Sequence, residues 1–88
     1  MPSVHVSLPA VLTSPEPPVV LDCEAGTVGE ALRAAVAQAP RFGQRIFFDD
    51  HPLVGVLVNG RHLAPAAALS TPLADGDLVD VLPPVAGG

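Results

Sequence analysis

Leu78-Val79-Asp80-Val81-Leu82-Pro83-Pro84-Val85-Ala86-Gly87-Gly88 reads as a strand that runs straight into a tail. In its first half the side chains alternate, with Val79 and Val81 on one face and Leu78, Asp80 and Leu82 on the other. Pro83 and Pro84 each fix φ near −65° and carry no N–H. The root of the tail is therefore predicted to be extended, close to polyproline II. The last two residues are glycine, which lets another backbone approach closely. No charge lies between Leu82 and Gly88. Read as a terminus, this is a neutral, narrow probe, stiff at its root, with the Gly88 carboxylate open to an enzyme that would activate it. A frayed end is the ordinary alternative. The strand before the tail, which would hold its root rigid, separates the two readings.

Working back from that strand, Asp75-Gly76-Asp77 is a tight turn, with both aspartates explained as turn formers. Val54 to Val58 is predicted as a strand, with Val54, Val56 and Val58 on one face and Leu57 on the other. Asn59-Gly60 after it signals a type I′ turn, whose two central residues both need positive φ. Arg61-His62-Leu63 is a short return strand, and Ala64 to Pro72 reads as irregular. Arg41, Arg45 and the Asp49-Asp50-His51 run suggest an exposed loop over 41–53, although Ile46-Phe47-Phe48 must be at least partly buried.

The helix signal is clear. Thr27, with Glu30 three residues on, forms a capping box. Val28, Ala31, Leu32, Ala35, Val36 and Ala39 follow as one apolar stripe, and Pro40 ends it. Upstream, Ser3 to Leu8 alternates as a half-buried strand, with Val4, Val6 and Leu8 on one face. Pro9 ends it, Ser14 to Pro18 is a Pro-rich turn, and Val19-Val20-Leu21 resumes as the second strand of a hairpin.

The order is two strands, a helix, and three further strands. It predicts an α+β domain, a small mixed sheet with one main helix packed on one face. The first and last strands, rich in Val and Leu, belong in the middle, parallel to one another. With 88 residues there is room for one core, assigned to residues 1–82, with 83–88 as an extended tail. The chain is 49% hydrophobic but has three Phe, no Trp and no Tyr. Val, Leu and Ala are therefore expected to fill the core.

The net charge is −5. All four basic residues are arginines, so there is no lysine. An acidic surface argues against nucleic acid, whose phosphates need clustered cations, and favours a basic protein partner. No stretch approaches the ~20 apolar residues of a membrane span. Met-Pro-Ser-Val-His lacks a charged region followed by an apolar one, so no signal peptide is expected. With Cys23 alone, no internal disulfide forms and a cytoplasmic setting is expected.

No catalytic constellation emerges. His5, His51 and His62 lack metal-ligand spacing, so no metal is expected. There is no Gly-rich phosphate loop. Cys23 could be imagined as a sulfur acceptor, but a single cysteine at a strand end reads better as a small buried residue. Asp80 is different, because one charge between Leu78 and Leu82 marks a face that is apolar yet not core. Together with Leu57 it is read as a partner-docking surface, against the alternative of an ordinary solvated strand face.

The layout resembles the β-grasp, ubiquitin-like fold. The stretch from Leu73 to Gly88, with its Asp-Gly-Asp turn, hydrophobic strand and Pro-Pro-Val-Ala-Gly-Gly end, resembles the C-terminal end of the MoaD/ThiS family of sulfur carriers. Element order extends the resemblance to the whole chain, including the capped helix at Thr27 and the Val-Asn-Gly turn at 58–60. The Pro-Pro tail leans towards the small subunit of molybdopterin synthase. The opening Val-His-Val-Ser-Leu-Pro-Ala-Val-Leu is more similar to the carrier of an alternative cysteine pathway.

The resemblance implies that an ATP-dependent activating enzyme joins the Gly88 carboxylate to AMP, and that a sulfur donor converts the adenylate to a thiocarboxylate. A biosynthetic enzyme of molybdopterin, cysteine, thiamine or secondary-metabolite formation then accepts the sulfur. Pro83, Pro84, Val85, Ala86, Gly87 and Gly88 would enter that partner's active site. The carrier itself would bind no cofactor, ATP being used by the activating partner, and would need no catalytic side chain. Two other readings remain. One is a ubiquitin-like modifier attached through Gly88 to lysines of other proteins, and the other is a plain interaction domain with an incidental Gly-Gly.

Overall fold

A computed structural model describes residues 1–48, 51–52 and 54–83. β1 (Ser3–Leu8) alternates as its sequence dictates, with Val4, Val6 and Leu8 all buried. Pro9 ends it, but the connection that follows is not a simple turn. Its carbonyl accepts from the N–H groups of Leu12 and Thr13 at 2.9 and 3.2 Å, starting the single helical turn α1 (Ala10–Thr13). Thr13 is fully buried, and its hydroxyl is satisfied by donation to the Glu16 carbonyl at 3.1 Å. β2 (Val19–Glu24) then pairs antiparallel with β1 over its whole length, from Ser3 opposite Glu24 to Leu8 opposite Val19.

α2 (Val28–Gln38) is the main helix. At its N-terminus the Thr27 hydroxyl accepts from the Glu30 N–H at 3.3 Å. The reciprocal bond of the expected capping box is displaced by one residue, since the Glu30 carboxylate accepts from the Gly26 N–H at 2.8 Å. The orphan donors of the first turn are still satisfied. Val28, Ala31, Leu32 and Ala35 are buried along the predicted stripe. Pro40 closes the helix as expected, and also opens a 3-10 turn over Pro40–Phe42.

Residues 40–48 and 51–52 hold more regular structure than the expected loop. The 3-10 turn leads into α3 (Gly43–Ile46), and β3 (Phe47–Phe48) pairs antiparallel with β4 (His51–Pro52). Phe42 and Ile46 are buried, so the core is not confined to Val, Leu and Ala. Two of the arginines that suggest a loop instead tie this segment to the β1–β2 connection. Arg41 Nε donates to Glu16 Oε2 at 2.6 Å, and that bond, with the arginine charge, holds the Glu16 carboxyl below its ordinary range. Arg45 Nη1 donates to the carbonyls of Leu12 and Ser14 at 2.9 and 2.7 Å.

β5 (Gly55–Val58) and β6 (Arg61–His62) form a hairpin whose turn residues Asn59 and Gly60 have φ of 51° and 85°. The next segment, expected to be irregular, contains the turn of helix α4 (Pro65–Ala68). It runs against the start of α2, where the Gly29 N–H donates to the Leu69 carbonyl at 2.9 Å. A Cβ on Gly29 would lie 3.0 Å from that oxygen, so a larger residue would push the Leu69 backbone away from the helix.

β7 (Leu78–Leu82) completes the sheet, whose strand order is β2-β1-β7-β5-β6. β7 is parallel to β1 and antiparallel to β5, as the α+β reading requires of a central last strand. Val79 and Val81 face the core with Val4, Val6, Val56 and the α2 stripe. β7 is thus gripped by backbone hydrogen bonds on both edges and by packing on one face. Leu82, its last residue, leads directly into Pro83.

Candidate functional site

The site is built from the sheet face turned away from the α2 stripe and from the strand that carries the tail. The strand's start is pinned first. The Ser3 N–H donates to Asp75 Oδ1 at 2.7 Å, and the Gly76 N–H donates back to the Ser3 carbonyl at 2.8 Å. Gly76 has φ of 84°, a conformation that side chains rarely adopt, with open space around it. On the other side, Asn59 Nδ2 donates to Asp77 Oδ1 and Asn59 Oδ1 accepts from the Leu78 N–H, each at 2.9 Å. Asp77 Oδ2 accepts from the Ala74 N–H at 2.8 Å. The Ala74 N–H, and next the Asn59 amide, stabilise the carboxylate and hold Asp77 below its ordinary pKa. Asp75 and Asp77 are turn formers, and they also lock β7 to β1 and to the β5–β6 turn.

The outer face then follows from register. Leu57 lies opposite Asp80 on one side and His62 on the other, while Asp80 neighbours Ser7, and Ser7 neighbours Val20. One row therefore crosses the sheet as Val20, Ser7, Asp80, Leu57 and His62. The adjacent row holds Asp22, His5 and Leu78. Its Asp22 and His5 are joined, with His5 Nδ1 2.6 Å from Asp22 Oδ1. Leu82 lies opposite Gly55, whose lack of a side chain leaves that flank of the leucine uncovered. A Cβ there would sit 3.7 Å from the leucine Cβ, an ordinary contact. Neighbours across strands on one face lie about 5 Å apart, so Leu57, Leu78, Asp80 and Leu82 form a contiguous patch. Leu78 is exposed, the other three are half-buried, and Val79 and Val81 point inward.

Val20 belongs to this patch and is 59% exposed, yet sequence reasoning did not single it out. The signal was the hairpin register: once Leu21 and Cys23 face inward, Val20 must share the outer face with Asp22. Pro83 is the last described residue, and Pro84, Val85, Ala86, Gly87 and Gly88 lie outside the described residues.

Cys23 is buried on the inner side of β2. Its thiol donates to the Leu21 carbonyl at 3.8 Å, and Gln38 Nε2 lies 3.5 Å from Sγ. Burial first, and the neighbouring Asp22 charge second, push its pKa up. It has the properties of a buried structural residue rather than of a reactive thiol. Among the described residues no group of three or more His, Cys, Asp or Glu is arranged to hold a metal ion. No helix among them is long and apolar enough to cross a membrane.

A mixed sheet with parallel first and last strands at its centre and one helix across one face defines the β-grasp fold of ubiquitin-like carriers and modifiers. The chain belongs to the ThiS family, whose family model matches residues 13–88. It is 44% identical over 64 residues to small archaeal modifier protein 3 of Haloferax volcanii, a match covering 70% of each chain. The crystal structure of small archaeal modifier protein 1 from the same organism superposes with a TM-score of 0.71 at 35% identity, covering 98% of this chain and 99% of that one. A chain of the Amycolatopsis orientalis BexX/CysO complex superposes with a TM-score of 0.73 at 26% identity, covering 97% of this chain and 99% of that one. The protein is therefore a ubiquitin-like sulfur carrier or modifier of the MoaD/ThiS type, and members of this family are small carrier proteins.

Proposed function

We propose that this protein carries sulfur as a thiocarboxylate on Gly88. A Gly88 carboxylate oxygen attacks the α-phosphorus of ATP in the active site of an adenylating partner, and pyrophosphate leaves. A hydrosulfide nucleophile then attacks the acyl carbon of the adenylate, AMP departs, and the thiocarboxylate remains. Activation is needed because a carboxylate is a poor electrophile and AMP is a good leaving group. The carrier supplies no catalytic side chain and binds no cofactor, and ATP is consumed by its partner. Residues 1–82 form the body, and Pro83 to Gly88 form the tail that enters the partner's active site, in the cytoplasm.

The observation that carries this reading is the family match running through Gly88, at the end of a tail launched from a strand held on both edges. A rigid root converts docking of the body into positioning of the tip, which is how proximity lowers a barrier. The body docks through Leu57, Leu78, Asp80 and Leu82, an apolar anchor with a charge at its centre. The acidic surplus steers a basic partner surface. The sulfur is handed to a biosynthetic enzyme of molybdopterin, cysteine, thiamine or secondary-metabolite formation.

Attachment of Gly88 to amines of other proteins is a second reading, favoured by relatives that are named modifiers. It shares the same activated intermediate. Carrier-dependent exchange of pyrophosphate into ATP by the organism's own adenylating enzyme tests the first step. Exchange is expected with the full chain and lost on deletion of Gly88. Exchange that survives the deletion would place the reacting group elsewhere.

A further inference from the structure

An activated Gly88 is an electrophile, so every amine or thiolate that reaches it competes with the intended acceptor. The chain's basic and thiol side chains are withdrawn in two separate ways. First, its four basic side chains, Arg33, Arg41, Arg45 and Arg61, are guanidiniums, and no lysine is present. A guanidinium stays protonated at any physiological pH and offers no lone pair for acyl transfer. Second, the one thiol, Cys23, is 5% exposed and sits behind Gln38, whose amide is itself held by donation to the Asp22 carbonyl at 2.6 Å. The thiol is thereby denied both access and ionisation.

We propose that the chain's own side chains do not capture its activated end: neither the guanidiniums nor Cys23 serves as acceptor, in the same molecule or in a second copy, so copies do not link to one another through internal side chains. This rests on the carrier reading for its activated end. The step that is prevented is attack of a neutral amine on the Gly88 carbonyl carbon, with loss of the leaving group and a proton to give an amide.

The test installs a thioester on Gly88 chemically, with no activating enzyme, on chain whose α-amine has been acetylated. Whether any enzyme adenylates Gly88 therefore does not enter the outcome. Parent and Arg61→Lys proteins, the latter placing one amine at an exposed position, are incubated concentrated at mildly alkaline pH and resolved after reduction. The parent is expected to give only hydrolysed monomer, and Arg61→Lys a ladder of amide-linked multimers. A thiol-resistant dimer of the parent, mapped to an internal residue, would overturn the proposal. So would an Arg61→Lys protein that stays monomeric while a small added amine is acylated, because lack of lysine would then not be what prevents self-capture. As a second readout, Cys23 of the folded parent is expected to stay unlabelled by a soluble aromatic disulfide that labels it after denaturation. Labelling in the folded state at the denatured rate would remove the second of the two protections.

Discussion

Asn59 Nδ2 donates to Asp77 Oδ1 at 2.9 Å, joining the turn after β5 to the turn that launches β7. The same Asn59 accepts from the Leu78 N–H, so one amide fixes both the carboxylate and the first residue of the tail-bearing strand. The lock stands on two residues that sequence explains as turn formers, and its mechanical effect is to set where β7 begins.

The lock predicts a pH dependence. Asp77 is held below its ordinary value of 3.8, mainly by the Ala74 N–H and then by Asn59. A carboxyl whose pKa is lower in the folded state contributes stability above its unfolded value and loses it as pH falls through the folded one. Asp77→Asn is therefore expected to lower the melting temperature near neutrality and to converge on the parent as pH falls below the ordinary carboxylate range and through the lowered folded value. Melting curves across that range check this. A gap unchanged at low pH would mean that the charge of Asp77 is not what the fold uses.

Leu32 is fully buried in the α2 stripe. Leu32→Ala is expected to cost about 2–5 kcal/mol, a large part of the stability of a domain this size. Denaturant unfolding measures it. A midpoint that does not move would show that α2 packs by another face.

The inward and outward residues of β7 should separate stability from binding. Val81 is buried, so Val81→Ala is expected to lower the melting temperature. Leu82 faces outward beside Gly55. Leu82→Ala is expected to leave melting nearly unchanged and to weaken binding to the adenylating enzyme by more than ~1 kcal/mol. Titration calorimetry and melting curves on the same two variants compare the effects, and a Leu82→Ala protein that binds like the parent would remove the leucine from the docking surface.

Asp80→Asn is expected to slow association with a basic partner, and the deficit should shrink as salt screens the charge. Association rates at low and high ionic strength check this. A deficit independent of salt would mark a local contact instead of steering.

Much of the fold was legible because its main elements are long enough to show a period. The alternation of Val4, Val6 and Leu8, the stripe from Val28 to Ala39 and the alternation of Leu78 to Leu82 each repeat several times. The turn at Asn59-Gly60 carries its own conformational demand. The single-turn helices α1, α3 and α4 are four residues each and repeat nothing. Their order comes from contacts distant in sequence, such as Arg45 reaching the Leu12 and Ser14 carbonyls. Phe42 was hidden among charges that suggested a loop, yet it is buried in the core, beside Ile46, whose burial the apolar run Ile46-Phe47-Phe48 already required. The outward direction of Leu57, Asp80 and Leu82 could be read from alternation within each strand. The row joining them to Val20 could not, because it depends on the register between strands.

Whether Gly88 carries the sulfur is tested most directly by intact mass spectrometry. The full chain is incubated with its adenylating enzyme, ATP and sulfide. A mass gain equal to the exchange of one oxygen for one sulfur is expected, localised to the C-terminal peptide and absent when Gly88 is deleted. An unchanged mass with an adenylating enzyme that does activate the chain, or a sulfur found on Cys23 instead, would contradict it.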